Sequence, residues 1–132
     1  MLAGYTADKG ETLAATSTHA KGTRYEESAA RFLAGLGFII VARNWRCSIG
    51  ELDLVARDQD TLVFVEVRSR ASSAGYLPEE TIGRRKMARL AATAEAYLAS
   101  HPWDGLCRFD VVAITICDTG MQVRLLKDAF TL

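Results

Sequence analysis

The stretch that decides the fold is Thr61-Leu62-Val63-Phe64-Val65-Glu66-Val67-Arg68. It is apolar on both alternating faces, which is typical of a strand buried at the centre of a sheet. One of those faces also carries Glu66 and Arg68. A carboxylate and a guanidinium are costly to bury unless they are paired with an opposite charge or bound to a metal. This strand is therefore the starting point for both the fold and the function.

A second predicted strand, residues 49–56, precedes this one and is joined to it by a tight turn. A turn at residues 59–60 places Asp53 opposite the acid of the buried strand, whereas a turn at residues 58–59 places Glu51 there. A one-residue slip between these registers separates the acids to opposite faces, and the sequence leaves that choice open. Either of the two registers gathers four charged residues on one face: Glu51, Asp53, Glu66 and Arg68.

These charged residues allow two explanations. The structural one is a buried ion pair of Arg68 with Glu66 or Asp53. The functional one is a metal site, because neighbouring carboxylates repel each other unless a cation lies between them. We favour the metal site. The chain has 2 histidines and 3 cysteines without CxxC spacing, so the ligands would be oxygens and the expected ion is Mg²⁺ (or Mn²⁺).

Composition sets the class of protein. The 132 residues include 16 basic and 16 acidic ones, so net charge gives no sign of a nucleic-acid partner. Six basic residues against two acidic ones between Arg68 and Arg89 nevertheless predict a basic face. Without a signal peptide or an apolar run of about 20 residues, we expect a cytoplasmic protein with no membrane partner. Residues 1–20 are predicted to be a flexible lead, and residues 21–132 a single domain.

Two helices complete the predicted elements. Thr23 and Glu26 have the capping-box spacing, so the first helix is expected to begin at Thr23 and to end near Gly35. The second is predicted over residues 79–100. Further strands are predicted at residues 38–42, 109–117 and 121–126, with Asp110 as a structural acid. The order α-β-β-β-α-β-β predicts an α/β fold, a mixed sheet flanked by helices.

Four motifs in order identify a relationship. They resemble the YraN family of uncharacterised bacterial proteins over about residues 22–130, a family similar to the restriction-endonuclease-like superfamily and its Holliday-junction resolvases. The resemblance implies an αβββαβ core and magnesium-dependent hydrolysis of phosphodiester bonds in DNA, on branched or otherwise structured substrates. By analogy with resolvases, it also implies a homodimer. The motifs are Arg43-Asn44-Trp45-Arg46-Cys47, Gly50-Glu51-Leu52-Asp53-Leu54-Val55, Phe64-Val65-Glu66-Val67-Arg68-Ser69-Arg70 and Arg108-Phe109-Asp110-Val111-Val112.

The superfamily pattern, an acid followed by acid-x-lysine, assigns roles. It places Asp53 and Glu66 in the two acid positions, but Arg68 in the lysine position. Arginine stays protonated and cannot act as a base, although it can contact phosphate. Glu26 falls where related resolvases supply a further acid, and it also fits the capping box. Lys86 can either reach the site in place of the missing lysine or extend its stem over the core, which we slightly prefer.

The sequence therefore predicts a metal-dependent nuclease. The alternative is a non-catalytic nucleic-acid-binding or partner-binding module that retains the nuclease fold. Trp45 has a similar ambiguity, since it can stack on a base or pack against the core. The expected catalytic residues are Asp53, Glu66, Arg68 and Glu26, the expected metal ligands are Asp53, Glu66 and Glu51, and the expected nucleic-acid contacts are Arg43, Trp45, Arg46, Arg70, Arg84 and Lys86.

Overall fold

A computed structural model describes residues 2–6 and 18–131, with side chains from residue 25 onward. The described part of the chain contains two helices and a mixed sheet of six strands. The elements in chain order are β1 (Leu2–Thr6), α1 (Thr18–Gly35), β2 (Ile39–Arg46), β3 (Glu51–Asp58), β4 (Thr61–Ala71), α2 (Arg84–Ser100), β5 (Leu106–Cys117) and β6 (Gly120–Leu126).

The sheet has the strand order β1-β6-β5-β4-β3-β2. Only β4 and β5 pair in parallel, because α2 forms the crossover between them. The other neighbours are antiparallel. The predicted α/β class and αβββαβ core are confirmed.

The helices cover opposite faces of the sheet. On the α1 side, Leu33 packs among residues that include Val63 and Val65. On the α2 side, Leu62 and Phe64 pack against residues of α2 that include Leu90 and Tyr97. The alternation of β4 thus feeds both cores, as expected of a central strand.

The hairpin between β3 and β4 has the first of the two predicted registers. Asp58 pairs with Thr61 and Leu54 with Val65, so Gln59 and Asp60 form the turn. Gln59 adopts a left-handed backbone conformation with φ of 55°. Continuing this register places Asp53 opposite Glu66.

Several predicted boundaries were wrong. Because α1 begins at Thr18, Thr23 lies inside the helix and is not its cap. The second helix begins at Arg84 rather than at residue 79, since Pro78–Thr81 forms a separate 3-10 turn. Ile82 is extended with φ of −92° and ψ of 103°, which separates the turn from the helix. The strand predicted over residues 38–42 is longer, because β2 runs from Ile39 to Arg46 and includes Trp45.

The N-terminal residues behave differently from the predicted lead where the structure describes them. Leu2–Thr6 pair antiparallel with β6, with Leu2 opposite Leu126. Residues 18–20 belong to α1. Residues 7–17 of the predicted lead lie outside the described residues. Within the described range, no helix is long and apolar enough to cross a membrane.

Asp110 is a structural acid, as predicted. Its carboxylate is fully buried and accepts hydrogen bonds from the Arg108 guanidinium at 2.8 and 2.9 Å and from the Asp128 backbone N–H at 2.9 Å. Arg108 also donates to Asp58 at 3.0 Å. This network joins β5 to the β3–β4 hairpin and to the C-terminal segment.

Candidate active site

The backbone pairing of β3 with β4 ends next to the predicted acids. Leu54 and Val65 are the last directly paired residues of the two strands. Beyond them, the Asp53 carboxylate accepts a hydrogen bond from the Val67 backbone N–H at 2.8 Å. A side chain thus replaces the next backbone partner, and this holds Asp53 beside Glu66.

Next to Asp53, the side chains of β2 and β3 stop alternating regularly between the two faces of the sheet. Ala42 and Trp45 of β2, three residues apart, both pack on the α2 side, and so do Leu52 and Val55 of β3. The predicted faces of this strand rested on strict alternation, which puts Leu52 and Val55 on opposite faces; the structure has both on the α2 side, so strict alternation was wrong here. Between Ala42 and Trp45, Asn44 adopts φ of 51°, a left-handed conformation that asparagine tolerates better than most residues. The register places Asn44 opposite Asp53.

Three carboxylates from three elements meet at this point: Glu26 of α1, Asp53 of β3 and Glu66 of β4. Asp53 is hydrogen-bonded to both glutamates, and the Asn44 amide also contacts Glu26. Burial, followed by the charge of Asp53, raises the pKa of Glu26 to about 7. The same two causes raise the pKa of Glu66 to about 8, and this residue is only 5% exposed. The cluster therefore retains protons near neutral pH.

Two cations lie against Glu66. The Nε of Arg68 is 3.2 Å from its Oε2 atom, and the Nζ of Lys86 is 3.6 Å from the same atom. Both charges lower the pKa of Glu66, Lys86 more than Arg68, but less than burial and Asp53 raise it. The Arg68 Nε is buried without a well-formed hydrogen bond despite the short distance. The predicted Glu66–Arg68 ion pair is present, and the Lys86 amine reaches the same carboxylate, as the alternative for this residue required.

Other predicted site residues lie outside this cluster. Glu51 is exposed and pairs with Arg46 at 3.3 Å, although its charge still raises the pKa of Glu26. Trp45 packs edge-on against Tyr97, with ring centroids 5.2 Å apart, which supports the packing explanation for this side chain. Arg43 and Arg84 are exposed.

The available carboxylates suit Mg²⁺, which takes few protein ligands, better than a metal ion that needs all its ligands from the protein. Among the side chains of residues 25–131, no three of His, Cys, Asp and Glu are arranged to hold a metal ion. Mg²⁺, however, is usually bound by one or two carboxylates together with waters and substrate phosphates. Asp53 and Glu66 can supply those carboxylates, because the Val67 N–H engages only Oδ2 of Asp53. A cation between them would also remove their mutual repulsion.

Sequence reasoning missed Asn44 as part of this cluster. The available signal was an asparagine within the motif Arg43-Asn44-Trp45-Arg46-Cys47, two residues after the predicted strand 38–42, since asparagine is enriched at left-handed positions. Its partner Asp53 became identifiable only once the register was known.

The part of the chain that matches known sequences includes Glu26, Asp53 and Glu66. Residues 25–114 match the uncharacterised protein family UPF0102. A UPF0102 protein of Roseiflexus castenholzii is 48% identical over 106 residues, which are 76% of this chain and 82% of that protein. Another, of Syntrophus aciditrophicus, is 43% identical over 108 residues, 81% of this chain and 85% of that protein. A third, of Beutenbergia cavernae, is 50% identical over 94 residues, 70% of this chain and 80% of that protein.

Proposed function

The chain belongs to the uncharacterised protein family UPF0102, and we propose that it is a magnesium-dependent nuclease that hydrolyses phosphodiester bonds in DNA. One observation carries the proposal: Glu26, Asp53 and Glu66 come together from three separate elements, with Glu66 only 5% exposed. Burying mutually repelling acids costs stability, and apolar residues of similar size would avoid that cost. A site that binds a cation explains why the acids are there.

Each residue of the cluster has a chemical task. Asp53 and Glu66 would hold Mg²⁺ (or Mn²⁺), and the ion would supply acidification of water and charge balance for the phosphate. Glu26 can accept a proton near neutral pH, because its pKa is about 7. Arg68 would donate to a phosphate oxygen, for which its fixed fork of donors is suited.

Lys86 offers a substitute for the lysine that the superfamily pattern places at Arg68. An amine can give up a proton and a guanidinium cannot. The Nζ atom of Lys86 lies 3.6 Å from the Oε2 atom of Glu66. We expect Lys86→Met to reduce single-turnover cleavage about 100-fold or more, within the range for a lost acid–base group. Lys86→Arg, which keeps the charge, should not restore the rate. Full activity of Lys86→Met would remove this role.

The charge distribution near the cluster supports a polyanionic substrate. The first turn of α2 carries Arg84, Arg85 and Lys86 and contains no acidic residue. Cations at a helix N-terminus oppose the helix dipole, so this arrangement costs stability unless an anion is bound. Phosphates of DNA would supply that anion. The preference for branched substrates and the homodimer remain predictions.

The alternative function is a non-catalytic nucleic-acid-binding or partner-binding module. The Glu66–Arg68 contact favours it, because a guanidinium 3.2 Å from Glu66 gives this buried carboxyl group a partner without a metal. In such a module, the acids would be structural, and magnesium would leave the melting temperature unchanged.

Cleavage of labelled DNA with isosteric variants separates the two functions. We expect the wild type to cut single-stranded, duplex or four-way-junction DNA in Mg²⁺ and not in EDTA. Asp53→Asn and Glu66→Gln should each lose at least about 100-fold in rate while melting cooperatively. Asp118→Asn, in the exposed turn after β5, is the matched control and should cut like the wild type. Equal cleavage by the site variants, or no cleavage by any protein, contradicts the proposal.

A further inference from the structure

The connection between β4 and α2 presents two apolar side chains to solvent. Tyr76 and Leu77 are each 48% exposed. The residues that follow them are held in place: Pro78 and Ile82 are buried, and Glu79 forms a double salt bridge with Arg124 at 2.6 and 2.9 Å. The exposed pair is thus displayed on an anchored segment.

Arg70 connects this exposed pair to the candidate active site. Its Nε donates a hydrogen bond to the Tyr76 hydroxyl at 3.0 Å, and its guanidinium lies 5.7 Å from the centroid of the tyrosine ring. By strand alternation, Arg70 shares its face of β4 with Arg68 and Glu66. At about 3.3 Å for each residue, Arg70 lies about 13 Å along the strand from Glu66. A row of two arginines therefore leads from the carboxylates to the exposed ring.

The cation shown beside the ring is the Arg70 guanidinium. Of the two acids of the connection, Glu79 is paired with Arg124, whereas Glu80 is exposed and accepts a hydrogen bond only from the neutral Leu77 backbone N–H at 2.6 Å. In contrast, among the described side chains no carboxylate lies within 4.0 Å of the guanidinium groups of Arg70, Arg84 or Arg85. An aromatic ring beside Arg70, whose guanidinium has no carboxylate partner among the described side chains, matches the chemistry of a strand with phosphates and bases.

We propose that Tyr76, supported by Leu77 and Arg70, is a stacking platform for an unpaired base of single-stranded DNA. The strand's phosphates would follow Arg70 and Arg68 toward Glu66. Single-stranded DNA fits better than a duplex, because the bases of a duplex are already stacked on each other and offer no face to the ring. The direction of the strand rests on the proposed nuclease function. Binding to the platform does not require cleavage.

The test measures binding in EDTA, so that no cleavage can occur. Fluorescence anisotropy would follow a fluorescein-labelled single strand of twelve nucleotides, and separately its blunt duplex, at low salt. Tyr76→Ala should weaken binding of the single strand about 5- to 100-fold, the range for loss of one stacking aromatic, and should hardly affect the duplex. Tyr76→Trp keeps a ring and should bind at least as tightly as the wild type. Leu106→Ala is the control, since Leu106 is 75% exposed at the opposite end of the strand pair, beside Thr61.

The outcomes separate clearly. Unchanged binding of the single strand by Tyr76→Ala overturns the platform, and so does an equal loss for both DNAs. If Tyr76→Ala fails to fold, a Tyr76→Trp protein that binds the single strand five-fold more weakly overturns it as well. Selective loss of single-strand binding supports the platform even if the wild type never cuts DNA, in which case only the nuclease proposal fails.

Discussion

Replacing Glu66 by glutamine should stabilise the metal-free protein at alkaline pH. The pKa of Glu66 is raised from 4.5 to about 8 in the folded state. A group with a raised pKa binds more protons folded than unfolded, so stability must fall as pH rises from about 4.5 to 8. Glu26, with a pKa of about 7, acts in the same direction. Magnesium should reverse the loss by binding the ionised carboxylates.

The size of the effect follows from the same values. A rise from 4.5 to about 8, at about 1.4 kcal/mol for each pH unit, gives a cost of about 5 kcal/mol for full ionisation of Glu66. This is a large fraction of the roughly 5–15 kcal/mol that stabilises an ordinary domain. Glu66→Gln keeps the shape of the protonated acid and removes the cost.

Thermal unfolding in EDTA between pH 5.5 and 9 measures the stability that is lost when Glu66 ionises. The wild-type melting temperature should fall by about 10 °C or more over this range, since about 1 kcal/mol corresponds to several degrees for a domain of this size. The Glu66→Gln protein should lose less stability, because only the contribution of Glu26 remains, and should be the more stable of the two at pH 9. Glu79→Gln is the control, because Arg124 lowers the pKa of Glu79, so its titration lies below this window. A wild-type melting temperature that falls no more with pH than that of Glu66→Gln would refute the reasoning.

Three further predictions concern packing and charge. Arg108→Ala should cost about 3–5 kcal/mol of stability in chemical denaturation, because it leaves the fully buried Asp110 carboxylate unpaired. Arg46→Ala, which removes an ion pair whose side chains are 64% and 43% exposed, should hardly change the denaturation midpoint. Gly105→Ala should cost about 1–3 kcal/mol, because a Cβ there would lie 2.8 Å from the Asp60 backbone oxygen, while Gly35→Ala, in the last turn of α1 with open space around it, should be no less stable than the wild type.

The central part of the fold was predictable from β4 because its pattern is local. A run of apolar residues interrupted by Glu66 fixes a buried strand, and a two-residue turn then limits the position of Asp53. The register was one of two stated alternatives, and the structure has the one that places these acids opposite each other. Periodicity and turn chemistry were sufficient for this much.

The rest of the cluster depends on tertiary contacts that periodicity does not encode. The break in alternation that brings Leu52 to the α2 side accompanies the left-handed Asn44 of the neighbouring strand. A helical wheel placed Lys86 in the apolar stripe, but only the packing of α2 decides whether its amine reaches Glu66. Likewise, the capping box at Thr23 was a valid local signal that a longer helix overrode.

Magnesium binding measured by isothermal titration calorimetry at pH 7, in two buffers of different ionisation enthalpy, tests the central claim that Asp53 and Glu66 form a metal site. A metal that binds carboxylates displaces their protons. Because the pKa of Glu66 is about 8, binding should release about one proton for each Mg²⁺, and Asp53→Asn should abolish the signal. Magnesium binding without proton release, or equal binding by Asp53→Asn, would contradict the account.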